Sequence, residues 1–465
     1  MKLKRAICLL LIPLTFASAA VGSVKASKTK PYKFTEASNG MPILTVEMPK
    51  VPLATIVLVA KAGAMTELPE TNGLTHVWEH MFFKGNKRLP NQEAFNKRIR
   101  QLGITYNGDT SAEMVRYYFT LPSKNLDDGL QFMADAISTP LLDIQELERE
   151  RVVVLDEYDR NASQPGFDLY NIERMIIYGK QEYLRNPLCR RKIIETTTRD
   201  QLLAIKKDVF VPANCALIVA GDVESGRVTT LINKHFADWK TPSDWKPVKR
   251  DSFGEFPQTT DVVKTHPLAQ NVNQQFTWKG PRTSIEKADT WIADMLLQLL
   301  EHRSGKFFKT FMDSGLTLGA GLSYHTQSQT GELVLYAVSA AEKAREAKDA
   351  LLRQPSLWIK PGYFTASQLA DVRRKQRINY KMDLDRPSAY AKNLAFWWAT
   401  SGLDYYDNYI ANMEKVSLED IKKFVKKYFI NKPYVGITLI NPEDAKVAKY
   451  TDNSAPFVEK YLQNY

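Results

Sequence analysis

At 465 residues, with 44% hydrophobic and 25% charged side chains, the chain is long enough to bury two or more ordinary cores. Its formal charge of +11 suits acidic peptides or an anionic envelope surface, though a generally solvated surface is the plainer meaning, and no nucleic-acid-binding motif accompanies it. The body of the chain has no uncharged apolar run of the roughly 18 residues that a membrane-spanning helix needs, so it reads as soluble.

The first residues differ from the rest. Lys2, Lys4 and Arg5 precede a short apolar run over 6–16, and Ala17-Ser18-Ala19 offers a small-residue cleavage site, with a later one after Val24-Lys25-Ala26. The pattern predicts a signal peptide over residues 1–19, or up to 26, and an exported protein, periplasmic in the first instance and secreted as the alternative. Cleavage removes three positive residues and Cys8, taking the charge from +11 to +8. Cys8 lacks the small-residue context of a lipid-attachment box. Of the two cysteines left, Cys215 sits in the apolar run Cys215-Ala216-Leu217-Ile218-Val219 and reads as a buried free thiol. A disulfide with Cys189 is permitted in an oxidising compartment, and neither has metal-ligand spacing.

After a predicted strand over 54–61 comes the most informative stretch, His76-Val77-Trp78-Glu79-His80. On a helix, positions i, i+3 and i+4 project to one side. His76 and His80 can therefore share one metal ion while Glu79 reaches a water on the same face. His-x-x-Glu-His is the inverted form of the commoner zinc-protease helix. A catalytic zinc site takes three protein ligands, so the motif demands another carboxylate or imidazole elsewhere. Residues 146–157 read as a charged helix with an apolar stripe, and they place Glu150 and Glu157 two turns apart on one face. Between the two helices, Asn107-Gly108 reads equally as a turn or as part of a strand.

A faint duplication runs through the chain. Val51-Pro52-Leu53-Ala54 returns as His266-Pro267-Leu268-Ala269, and residues 198–220 return at a constant offset of 219 as residues 417–439. Residues 241–259, rich in proline, serine and charge, read as a linker between a first domain over 30–240 and a second over 260–465. Strands without regular βαβ alternation argue an α+β fold made of two similar layered domains. Carrying the early offset of 215 forward sends His76, Glu79 and His80 to Trp291, Asp294 and Met295, in a predicted helix over 288–300. Glu301-His302 beside it lacks a second histidine, which implies one metal site per chain.

These motifs resemble the pitrilysin/insulinase family of zinc peptidases, and within it the mitochondrial-processing-peptidase branch, built from subunits of about this length. In that family the histidine helix is followed some seventy-odd residues later by a ligand glutamate with another glutamate seven residues upstream; here Glu157 lies 77 residues after His80, with Glu150 at the upstream place. The flanks Gly73-Leu74-Thr75, Met81-Phe82-Phe83-Lys84-Gly85 and Asn107-Gly108-Asp109-Thr110-Ser111 agree as well. The resemblance implies His76, His80 and Glu157 as ligands of one Zn2+, Glu79 as general base, Glu150 as a supporting carboxylate in the catalytic set, and Asn107 on a strand edge that binds an extended peptide substrate. It implies two domains facing each other across a cleft. It also exposes a departure: single-chain relatives carry an arginine, then a tyrosine seven residues later, in the second half, where this chain has Phe311 or Met312 and Leu318. The expectation is a zinc-dependent endopeptidase acting with a homologous partner subunit that supplies the Arg/Tyr pair. The alternatives are a chain that recruits Arg303 or Tyr324 in their place, a non-catalytic interaction subunit of the same family, and a hydrolase of a non-peptide substrate.

Overall fold

Leu53–Ala60 is an almost unbroken run of β-branched and aliphatic side chains, the pattern of a strand covered on both faces, and its last seven residues are fully buried. In the computed structural model, which describes residues 30–179, 187, 188, 190–248 and 258–464, this segment is the third of six strands in a first sheet. The strands are β1 (Lys33–Glu36), β2 (Pro42–Glu47), β3 (Leu53–Ala60), β4 (Thr105–Thr110), β5 (Val115–Pro122) and β6 (Cys215–Gly221), in the spatial order β1-β2-β6-β3-β5-β4. Only β2 and β6 pair in parallel. A second sheet repeats this plan with β7 (Thr260–Thr265), β8 (Val272–Lys279), β9 (Gly319–Thr326), β10 (Gly331–Ser339) and β11 (Val435–Ile440), in the order β7-β11-β8-β10-β9, again with one parallel pair, β7 with β11.

The helices repeat too. In the first half the main ones are α1 (Leu74–Phe82), α2 (Leu126–Ser138), α3 (Ile144–Ala162), α4 (Phe167–Tyr178) and α5 (Arg199–Asp208). Their counterparts are α6 (Lys287–Leu300), α7 (Ala344–Trp358), α8 (Ala366–Asp383), α9 (Pro387–Thr400) and α10 (Leu418–Tyr428). The α+β class and the duplication expected from the sequence are thus both present.

One detail of that expectation is corrected. β3 and β8 stand 219 residues apart at both ends, not 215. Pro267, Leu268 and Ala269 lie in the turn before β8, where Ala269 N donates to His266 O, whereas Leu53 and Ala54 already belong to β3. The connection from β8 to α6 (280–286) is shorter than that from β3 to α1 (61–73), so no single offset carries His76, Glu79 and His80 into the second half, and α6 contains no histidine at any register. Met295 and Leu299 are buried in the core of the second half.

The halves hold each other by exchanging a helix. Tyr390, Leu394 and Ala395 of α9 pack on Leu44, Val57 and Ile218 of the first sheet, and Leu169, Ile172 and Ile177 of α4 pack on Val262, Val435 and Ile437 of the second. Each sheet hides its outer apolar face under the other half's helix, so neither half closes its core alone. Polar contacts pin the seam: Glu113 accepts from Ser328 N and Oγ, each at 2.8 Å, and Glu173 accepts from Thr277 Oγ1 at 2.5 Å. Within this seam lies a cavity of about 480 Å³ lined from both halves, by Ser111, Arg174, His325 and Glu332 among others.

Trp245, in the expected linker, donates its indole N–H to Asp208 O at 2.8 Å, and β7 opens at Thr260. The expected signal peptide, Cys189 and linker residues 249–257 lie outside the described residues. Cys215 is a fully buried free thiol at the start of β6. No helix among the described residues is long and apolar enough to cross a membrane.

Candidate metal centre

The helix that carries the histidines has no side-chain cap at its first residue. Gly73 takes the left-handed conformation (φ +90°) that glycine adopts without strain. The free N–H groups of the first turn are met by the buried carboxylate of Glu67, which accepts from Gly73 N at 2.5 Å, Thr75 N at 2.8 Å and Thr75 Oγ1 at 2.7 Å. A negative charge there also complements the positive end of the helix. The apolar side of α1 is then locked by stacking, Trp78 on Phe210 at 4.1 Å and Phe82 on Tyr117 at 3.9 Å. This turns His76, Glu79 and His80 towards a cavity of about 630 Å³.

Helix α3 delivers the carboxylates. Its N-cap Asp143 accepts from Gln145 N and Glu146 N, and two turns of spacing bring Glu150 and Glu157 to the same cavity. The Nε2 atoms of His76 and His80 lie 3.3 Å apart, and Glu157 Oε2 is 3.8 Å and 3.6 Å from them. Zinc bonds of about 2.0–2.2 Å in a tetrahedral arrangement hold ligand atoms about 3.3–3.6 Å from one another. The three atoms stand near that spacing, and their chemistry fits the ion. His80 Nδ1 is 2.8 Å from Glu150 Oε1, so the ring proton sits on Nδ1 and the Nε2 lone pair faces the gap. Lys84 Nζ, in the turn just past the end of α1, holds the other oxygen of Glu150 at 2.5 Å.

The charges follow from this packing. Burial, helped by the neighbouring His80, lowers His76 to about 4. Burial lowers His80 as well, but its hydrogen bond to Glu150 and the Glu157 carboxylate 3.6 Å away outweigh that and lift it to about 9 in the metal-free site, so a metal taking Nε2 must displace a proton there. Burial pushes Glu79 up to about 7, against the Thr110 hydrogen bond and the nearby His80. A carboxyl titrating near neutrality can take up and release a proton under ordinary conditions.

Asn107 lies on β4, which settles the open choice between turn and strand. That strand is the edge of the first sheet, so among the described residues no strand pairs with its outer side. Asn107 lines the cavity, and its side-chain oxygen accepts from Gly108 N at 2.9 Å. All six residues singled out from the sequence, His76, Glu79, His80, Asn107, Glu150 and Glu157, therefore line one cavity. Among the described residues none of its walls comes from the second half. Phe311 is buried in the second core and Leu318 is 64% exposed, both away from the cavity. Neither substitute donor reaches it: Tyr324 donates its hydroxyl to Pro281 O at 2.7 Å, and exposed Arg303 is not among the lining residues.

Sequence reasoning assigned no role to Lys84, Gly108 or Thr110. Lys84 lies two residues past the end of α1, where helical spacing no longer holds, so only the folded turn brings it to Glu150. Gly108 and Thr110 alternate on one face of β4, a signal legible only once that segment is known to be a strand. Glu67 carries no such signal, because it reaches the helix from an irregular turn.

Two family models match the chain: the insulinase family, peptidase family M16, over residues 42–187, and the peptidase M16 inactive domain over residues 196–375. The zinc protease PqqE of Helicobacter pylori is 24% identical over 401 residues, 84% of this chain and 88% of that protein. The mitochondrial-processing peptidase subunit beta of Lentinula edodes is 24% identical over 88% of this chain and 90% of its own. The crystal structure of the periplasmic protease PqqL from Escherichia coli has the same fold, with a TM-score of 0.76 at 17% identity; the match covers 93% of this chain and 50% of that one. With both halves matched, the chain belongs to peptidase family M16, the insulinase family.

Proposed function

We propose that this chain is a zinc-dependent endopeptidase that hydrolyses peptides or unfolded polypeptides, and that it is the catalytic subunit of a two-chain enzyme exported to the periplasm. The observation that carries the reading is the trio of His76 Nε2, His80 Nε2 and Glu157 Oε2 at 3.3–3.8 Å from one another, with Glu79 in the same cavity. Relatives named as zinc proteases support the metal.

His76, His80 and Glu157 would hold the zinc. Held there, zinc would supply Lewis-acid chemistry, with a water pKa near roughly 7 and a polarised scissile carbonyl. Glu79 takes the proton from the attacking water and passes it to the leaving amine. Glu150, itself held by Lys84, keeps His80 in the tautomer that offers Nε2. Substrate adds to the free edge of β4 as an extra strand, so its backbone is recognised before its side chains. Asn107 sits at that edge.

The partner follows from what the cavity lacks. Among the described lining residues it has no arginine, its one lysine, Lys84, is paired with Glu150, and its one tyrosine is Tyr106. Losing an oxyanion donor typically costs about 2.7–4 kcal/mol, or 10²–10³ in rate, so an isolated chain would be a poor enzyme. A homologous subunit bringing an arginine and a tyrosine would complete the site. The match of this chain to half of the PqqL chain, and to a protein named as a subunit, supports an assembly of two such units.

The test is to measure metal content of purified wild type and His80→Ala, then turnover of a quenched peptide with chelator and zinc add-back, alone and with candidate partners. Metal loss in the variant and chelator-reversible cleavage are expected. Full activity of the isolated chain, unchanged by any partner, would overturn the two-chain part; a metal-free, inert wild type in every mixture would overturn the peptidase itself.

A further inference from the structure

Resting on the assignment of Glu79 as the base, we infer that Thr110 is a positioning residue for it, and that Thr110 and Gly108 together form the seat of the Glu79 carboxylate. Thr110 Oγ1 donates to Glu79 Oε2 at 2.6 Å. Two residues earlier on the same face of β4, a Cβ built on Gly108 would lie 2.7 Å from Glu79 Oε1, 2.9 Å from Cγ and 3.0 Å from Cδ. The carboxylate therefore lies across the bare Cα of Gly108, with one oxygen held by the hydroxyl.

Helix α1 alone does not set this arrangement. Glu79 has three side-chain torsions, and the helix fixes only the direction of the first. A carboxylate free to rotate would present either oxygen, in any plane, to the water. With Oε2 occupied by Thr110, Oε1 is the oxygen left to take the proton, and Gly108 leaves the space in which the group lies flat. An ionised carboxylate accepts only, so the Thr110 hydroxyl is the donor in this bond.

The seat is also coupled to substrate. Gly108 pairs with Tyr117 and Thr110 with Val115 on β5, while among the described residues no strand pairs with the other edge of β4. At the end of the strand, Ser111 and Met114 close the turn, and Glu113 ties it to Ser328 of the second half. A peptide adding to the free edge would stiffen the strand that aligns the base, so docking and base alignment share one element.

The experiment uses the full chain, with its partner subunit if cleavage requires one. Thr110→Val keeps shape and removes the donor; Thr110→Ser restores the hydroxyl; Gly108→Ala fills the seat. Zinc content is expected to stay at the wild-type level in all three. Thr110→Val should lower kcat about 10–100-fold, the range seen when an orienting partner is lost, with KM changed less than about threefold, and Thr110→Ser should recover most of kcat. An activity-independent check is the urea midpoint of the metal-free protein: Thr110→Val should lower it in wild type but not in a Glu79→Ala background, since coupled residues are non-additive. The inference is overturned if Thr110→Val keeps wild-type kcat, if Thr110→Ser fails to rescue, or if the midpoint shift persists without Glu79. A fully active Glu79→Gln enzyme would instead sink the assignment of the base, whatever Thr110 does.

Discussion

Replacing Lys84 by methionine separates the support of the metal site from the site itself. Lys84 Nζ and Glu150 Oε2 are 2.5 Å apart, and the two side chains are only 13% and 8% exposed. Removing one partner of a buried pair leaves an uncompensated charge and typically costs about 3–5 kcal/mol. His80 still donates to the other oxygen of Glu150 at 2.8 Å, and the pair borders an open cavity, so the expected loss for Lys84→Met is nearer 2–3 kcal/mol of folding stability. Zinc should bind about 10–100-fold more weakly, because Glu150 then swings or protonates and no longer fixes the His80 ring. Urea unfolding of the metal-free protein and chelator competition read the two effects separately. The double variant Lys84→Met/Glu150→Gln should be more stable than the sum of the single losses implies, since it removes the stranded charge. Strictly additive losses, or an unchanged zinc affinity in Lys84→Met, would refute the relay from Lys84 through Glu150 to His80.

Other outcomes follow from the same geometry. Glu79→Gln should keep its zinc but lose about 10²–10⁴ in turnover, measured as kcat alongside metal analysis. Glu157→Gln should emerge from purification depleted of zinc, whereas Glu150→Gln should lose activity with less metal loss; equal zinc in Glu157→Gln and wild type would remove Glu157 from the ligands. Asp294, half-buried in the second half and accepting from Tyr409 at 2.6 Å, is pushed up to about 7 by desolvation, against that hydrogen bond. Between the unfolded value near 4 and this one, the folded state binds the extra proton, so its contribution to stability falls as pH rises through about 4–7. Asp294→Asn should flatten that fall, and urea midpoints of the two proteins at pH 5 and pH 8 should diverge in favour of the variant at the higher pH.

The local chemistry of this chain was legible from the residues themselves. Helical period alone puts His76, Glu79 and His80 on one face, because three- and four-residue spacings recur on any α-helix. The same period pairs Glu150 with Glu157, and the run 215–219 declares a buried strand by its composition. The link between the two helices was not local: nothing in the 76 residues between His80 and Glu157 encodes their approach, and only the family resemblance suggested it. Tertiary structure decided the rest. Asn107-Gly108 is compatible with a turn or a strand until β5 pairs with it, and only then do Gly108 and Thr110 point together at Glu79. The register of the duplication, misplaced by four residues in a turn, is set by which residues enter β8. The exchange of α4 and α9 between the halves also escapes periodicity. An amphipathic stripe says that a helix must be covered, while which sheet covers it depends on where the chain returns in space.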